Sequence, residues 1–174
     1  KTGAIKSLLI ANRGEIAIRV MRAATELAIR TIAVHSQEDR FSLHRTKADE
    51  SYLVGDGKGP IEAYLDIADI VRIALEARAD AVHPGYGFLS ESPEFAEACA
   101  AAGIVFVGPT PDTMRRLGNK VQARNLAVAA GVPVMPATPP LPLDDAQVLA
   151  MAQAVGFRVV LGGSWGGGGG VVRV

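Results

Sequence analysis

Apolar residues along this chain alternate between short continuous runs and stretches with helical spacing. Residues 7–11, Ser-Leu-Leu-Ile-Ala, form a run of strand length. Past Asn12-Arg13-Gly14 the apolar positions become Ile16, Val20, Ala23, Ala24 and Leu27, which lie on one helix face. The pattern predicts strand, tight turn, helix. Residues 31–34 and 51–54 read as two further strands, separated by charged sequence containing His44. A helix through Leu65, Ile67, Ile70, Val71, Ala74 and Leu75 leads to a brief strand at 81–83. Ser92-Pro93-Glu94 supplies a cap, a first-turn proline and a first-turn acid for a helix carrying Phe95, Ala98 and Cys99, which Gly103 ends. Residues 104–107 form the next strand, and Thr110-Pro111-Asp112 repeats the helix-start signal. This alternation predicts an α/β fold with a mostly parallel sheet flanked by helices and ligands at the carboxyl ends of the strands.

The character changes after Gly131. Val132-Pro133-Val134-Met135-Pro136 and Pro139-Pro140-Leu141-Pro142 make a stiff extended connector, because each proline restricts itself and its predecessor. A boundary belongs there. Asp144 or Asp145 then caps a helix through Val148, Met151 and Val155, closed by Gly156 ahead of a strand at 159–161.

Composition narrows the function classes. Of 174 residues, 49% are hydrophobic and 21% charged, as in ordinary globular proteins. Lys+Arg and Asp+Glu both total 18, so no net basic field exists to hold nucleic acid or an anionic membrane, and neither partner is expected. No apolar run reaches the ~20 residues of a membrane span, and the start lacks a secretory signal. The expected location is the cytoplasm, or the mitochondrial matrix in a eukaryote after removal of a transit peptide. The single Cys99 sits in an apolar pattern and reads as a buried structural thiol. No metal-ligand cluster is evident.

Four places could carry chemistry. The turn at Asn12-Arg13-Gly14-Glu15 has one glycine where a dinucleotide fold wants several, so a dehydrogenase is disfavoured. Gly14 in a tight turn with Glu15 on the helix dipole explains it as well. Residues 83–91, His-Pro-Gly-Tyr-Gly-Phe-Leu-Ser-Glu, follow a strand and would serve as either a structural turn or a substrate-facing loop with Tyr86 at the surface. Residues 164–170, Ser-Trp followed by five glycines, suit a flap whose bare N–H groups wrap phosphates, or a linker. Lys120, opening a helix after Gly118-Asn119, is either a phosphate cation or a solvated lysine.

Taken together these segments resemble the biotin carboxylase family of biotin-dependent carboxylases. The residues that carry the resemblance are Leu9 through Ala17, Ala48-Asp49-Glu50-Ser51, residues 83–91, Met114 through Lys120 and the glycine run. Glu38-Asp39-Arg40, Leu43-His44-Arg45 and residues 59–65 resemble pyruvate carboxylases more than the biotin carboxylase subunits of acetyl-CoA carboxylase. The resemblance implies a Rossmann-like pre-ATP-grasp domain over 1–112, a helical linker over 113–136, and over 137–174 the start of a truncated ATP-grasp lobe. It implies that ATP with Mg2+ activates bicarbonate and that biotin on a separate carrier domain is carboxylated, with pyruvate as final acceptor. It also implies that the partners are the remaining biotin carboxylase lobes and the carrier domain, within a homo-oligomer. Lys120 resembles an ATP-phosphate lysine, and Gly166, Gly167, Gly168 and Gly169 the flap over the triphosphate. Tyr86 resembles a residue bordering the biotin site, and Arg19, Arg22 and Phe88 a dimer contact.

Two departures stand out. Gly162 occupies the place of a second ATP lysine, and Gly170 that of a flap arginine. The family's magnesium glutamates, bicarbonate arginine and catalytic base fall beyond the equivalent of Val174, so no catalytic residue or metal ligand is expected within the chain, and the chain alone is expected to be inactive. The alternative is a non-catalytic module that pairs with a biotin carboxylase subunit through the Arg19 and Phe88 face.

Overall fold

A computed structural model describes residues 3–162 and the backbone of residues 171–173. Its centre is β1 (Ser7–Ile10), buried at every residue. The chain runs from β1 through α1 (Gly14–Glu26) to β2 (Arg30–His35), then through a short helix α2 (Leu43–Lys47) to β3 (Glu50–Leu53). It returns by α3 (Ile67–Glu76) to β4 (Ala81–His83) on the other side of β1, and by α4 (Pro93–Ala101) to β5 (Val105–Phe106). The sheet order is β3-β2-β1-β4-β5 and every pairing is parallel. The direction of winding reverses at β1, so the crevice beyond the carboxyl ends of β1 and β4 is the topological switch point, where open α/β sheets bind ligands.

Burial on both faces explains why β1 reads as a continuous apolar run rather than an alternating one. Leu8 and Ile10 pack with Ala17, Met21 and Ala24 of α1. Leu9 points the other way, into a cluster with Ile32, Val34 and Val82 of neighbouring strands, Ile70 and Ile73 of α3, and Phe95 and Cys99 of α4. Phe95 is fully buried and meets Phe106 edge to face, with ring centroids 5.7 Å apart. Burying such a side chain contributes about 1.5–3 kcal/mol.

The helix starts follow their caps. The Ser92 hydroxyl accepts from Phe95 N with Pro93 in the first turn of α4, and the Asp66 carboxylate accepts from Asp69 N at α3. Gly103, at φ +69°, turns the chain after α4 in a conformation that costs glycine little.

Residues 1–111 form one compact unit and residues 112–174 another. The second contains most of α5 (Pro111–Gly118), then α6 (Lys120–Ala129), α7 (Asp145–Val155) and an antiparallel pair, β6 (Val160–Gly162) with β7 (Val171–Arg173). Asn119 caps α6 by accepting from Val121 N and Gln122 N, and Asp144 caps α7 by accepting from Gln147 N.

Two features depart from the sequence pattern. The charged stretch between β2 and β3, predicted only as a connection, contains a 3-10 turn at Glu38–Phe41 and then α2. Five residues are too few to show a helical period, and α2 is held instead by His44, which is fully buried with Nε2 3.2 Å from Val34 O. Residues 104–107 pair as a strand only at Val105–Phe106.

Candidate functional site at the carboxyl ends of β1 and β4

The turn after β1 and the loop after β4 meet at the switch point. Ala11 N continues the ladder by donating to His83 O at 2.9 Å. The next residue, Asn12, is fully buried. Its Nδ2 donates to Pro84 O at 2.7 Å and to Tyr86 O at 3.0 Å, and its Oδ1 accepts from Arg13 N at 2.9 Å. One amide thus satisfies two carbonyls of a loop whose backbone has no sheet partner there. Gly85 makes this contact possible. Its φ is +67°, and a Cβ there would lie 2.7 Å from Asn12 Nδ2 and from Ile16 Cγ2.

Tyr86 projects from that loop with 63% of its surface exposed, and its hydroxyl donates to Glu15 Oε1 at 2.9 Å. Donation to a carboxylate raises the tyrosine's pKa. A cleft of about 250 Å³ lies beside it, lined by Glu15, Ile16, Arg19, Val20, His83 and Gly85. Burial pushes the His83 imidazole below its ordinary value, so it is neutral near pH 7. Its Nδ1 accepts from Gly85 N at 2.9 Å, which leaves the proton on Nε2.

A second network ties the same turn to the end of β2. Arg13 Nε and Nη2 each donate to Asp39 at 2.6 Å, a bidentate pair. Tyr64 donates its hydroxyl to Asp39 Oδ2 at 2.7 Å and accepts from Ser36 N, and Ser42 Oγ donates to Asp39 Oδ1 at 2.8 Å. The Arg13 guanidinium, with the two hydroxyls, holds the Asp39 carboxyl well below the usual carboxylate range, and Asp39 raises Arg13 in turn. Burial, then donation to Asp39, pushes the Tyr64 hydroxyl up. These groups fix the rim of the crevice and leave half of the Arg13 side chain exposed.

The residues singled out in the sequence are distributed as follows. Tyr86 stands exposed at the switch point, and Arg19 and Arg22 are exposed on α1. Phe88, which resembles a dimer contact, is on the same loop as Tyr86 but faces the other way. It is half-buried, packs against the larger core cluster and stacks on Tyr64 at 5.2 Å. Gly87 and Phe88 both have positive φ, +72° and +42°, where the chain reverses between the exposed Tyr86 ring and the inward Phe88 ring. Lys120 is exposed at the first position of α6 in the second unit. Gly166, Gly167, Gly168 and Gly169 lie outside the described residues. Among the described residues no group of three His, Cys, Asp or Glu could hold a metal ion, and no helix is long and apolar enough to cross a membrane.

Asn12 and Asp39 carry the geometry, yet the sequence marks them only as part of a turn after a buried strand and as the second of two adjacent acids in a charged stretch, with nothing to say what either side chain binds.

The profile of the biotin carboxylase N-terminal domain matches residues 4–114. Human mitochondrial pyruvate carboxylase is 52% identical over 98% of this chain, which covers 14% of that protein. The structure of Rhizobium etli pyruvate carboxylase with the allosteric activator acetyl coenzyme-A superposes with a TM-score of 0.88 at 58% identity, over 99% of this chain and 16% of that one. The biotin carboxylase domain of Hydrogenobacter thermophilus 2-oxoglutarate carboxylase, in complex with MgADP and bicarbonate, superposes with a TM-score of 0.88 at 40% identity, over 95% of this chain and 36% of that one. The chain thus spans about a seventh of the length of its curated relative.

Proposed function

The chain belongs to the biotin carboxylase N-terminal domain family, and from that premise we propose that it is the first part of a biotin carboxylase that uses MgATP and bicarbonate to carboxylate biotin within a pyruvate carboxylase. The observation that carries this reading is the identity of 52% to a pyruvate carboxylase, in an alignment that covers 98% of the chain and so reaches both of its units.

In this reading the two units do different work. The switch-point loop presents Tyr86 to the biotin that a carrier domain delivers. Asn12 and Glu15 hold the loop's backbone and the tyrosine hydroxyl. Lys120, exposed at the start of α6, gives a nucleotide phosphate a point charge. The glycine run 166–169 wraps the triphosphate with backbone N–H groups. ATP, when bound, supplies the phosphoryl group that activates bicarbonate. Arg19, Arg22 and Phe88 belong to a face shared with a second copy in a homo-oligomer, and the remaining biotin carboxylase lobes and the carrier domain are the other partners. Mg2+ is assigned to no described residue, and no catalytic group is assigned to this chain.

The test is oxaloacetate formation by the full-length protein that carries this segment, supplied with MgATP, bicarbonate and pyruvate. Avidin-sensitive oxaloacetate production is expected. Carboxylation of acetyl-CoA with no turnover of pyruvate would overturn the assignment.

A further inference from the structure

Tyr86 is held at both ends by one turn. Its carbonyl oxygen accepts from Asn12 Nδ2 and its hydroxyl donates to Glu15, while the ring between them stays exposed. Asn12 and Glu15 lie three residues apart, in the passage from β1 into α1. We infer that Asn12 is a positioning residue for biotin, acting through Tyr86, with Glu15 as the second anchor. This rests on the reading of Tyr86 as bordering the biotin site.

The side-chain chemistry of Asn12 supports a specific purpose. A fully buried amide is costly unless its donors and acceptor are all used, and here all are. Asp would offer no donor to the two carbonyls, and Leu would fill the space while leaving both unpaired. Gln, one methylene longer, would drive its amide into carbonyls that already lie 2.7 and 3.0 Å from Asn12 Nδ2. The contact is therefore matched in both shape and hydrogen bonding to residues 84–86.

An exposed ring on a glycine-flanked loop would otherwise sample several loop and rotamer states, and each would have to be frozen when biotin arrives. Anchoring the carbonyl and the hydroxyl removes that cost before binding, which improves affinity without adding a contact to the ligand. The second network through Arg13 and Asp39 braces the same turn from β2, so the anchor is itself rigid.

The experiment uses the full-length carboxylase carrying this segment, with free biotin as the probe and bicarbonate-dependent ATP cleavage as the assay. The unsubstituted protein is measured first: an absence of biotin stimulation there would count against the proposed function, not against the positioning role. Hydrogen exchange at residues 85–88 is followed in parallel, and it tests the anchor whatever the enzyme's activity. Asn12→Ala is expected to raise the KM for free biotin by about tenfold, more than it raises the KM for ATP, and to speed exchange at residues 85–88. Glu15→Ala removes an exposed anchor and poses little risk to folding. It is expected to raise the biotin KM by about threefold. A folded Asn12→Ala protein whose biotin KM and loop exchange match the unsubstituted protein would overturn the inference. If Asn12→Ala does not fold, an unchanged biotin KM in Glu15→Ala overturns it.

Discussion

Replacing Asp39 with alanine tests whether the Arg13–Asp39–Tyr64 network holds the crevice rim. The carboxylate accepts four hydrogen bonds: two from Arg13, one from Tyr64 and one from Ser42. Their losses are unequal. Arg13 is half exposed and can rehydrate, so its share is about 0–1 kcal/mol. Tyr64 is fully buried, and its hydroxyl proton would be left without an acceptor at about 1–3 kcal/mol. The expected loss is therefore about 1–4 kcal/mol, read as urea unfolding by far-ultraviolet circular dichroism. The Asp39→Ala/Tyr64→Phe double variant should be less destabilised than the sum of its singles by about 1–2 kcal/mol, because the orphaned hydroxyl is gone. The pH dependence has a definite sign. Asp39 has a folded-state pKa below its unfolded one, so its contribution is complete above about pH 4 and is lost as pH falls further. The gap between the unsubstituted chain and Asp39→Ala should narrow below that pH. A loss under about 0.5 kcal/mol at pH 7, or strict additivity in the cycle, would refute this account.

Burial lowers the pKa of His35, His44 and His83 alike, so each takes up a proton more readily when unfolded. The urea midpoint should fall as pH drops from about 7.5 to about 5.5, through the unfolded histidine pKa near 6.5, and a rising midpoint would contradict the assignment. Cys99 is buried and its thiol is pushed up to about 11. Iodoacetamide at pH 8 should leave the folded chain unlabelled and modify it in urea. At Gly162 a Cβ would meet nothing within 4 Å, so Gly162→Lys fits and should tighten MgATP binding by about tenfold in calorimetry, as expected for a charged phosphate contact. Unchanged affinity would exclude that position from the nucleotide site. The chain alone should show no bicarbonate-dependent phosphate release before or after that change.

The sheet and its helices were legible because their signals are local. Leu8 to Ile10 is buried on both faces and reads as an unbroken apolar run. Ser92-Pro93-Glu94 announces α4 through the same hydroxyl that accepts from Phe95 N. The sequence does not reveal strand order, since parallel strands with helical crossovers can be wound to either side of β1. The site was legible only in outline. Tyr86 stands exposed, as a substrate-facing loop would have it, yet Phe88, two residues on in the same loop, turns into the core against Tyr64. Contacts across long stretches of chain, such as Asn12 with Pro84 or Arg13 with Asp39, have no periodicity to announce them. They emerge only once the sheet has brought the strand ends together.

The central claim is that this chain supplies the N-terminal domain of a biotin carboxylase, and an exchange of segments tests it most directly. Residues 4–114, the span matched to that domain, would replace the equivalent segment of Rhizobium etli pyruvate carboxylase, and bicarbonate-dependent ATP cleavage would be measured on the biotinylated product. The account predicts retained cleavage within about tenfold of the parent, because the sheet, the Asn12 anchor and the Tyr86 loop would all be carried across intact. A folded, biotinylated exchange enzyme with no bicarbonate-dependent cleavage would contradict it.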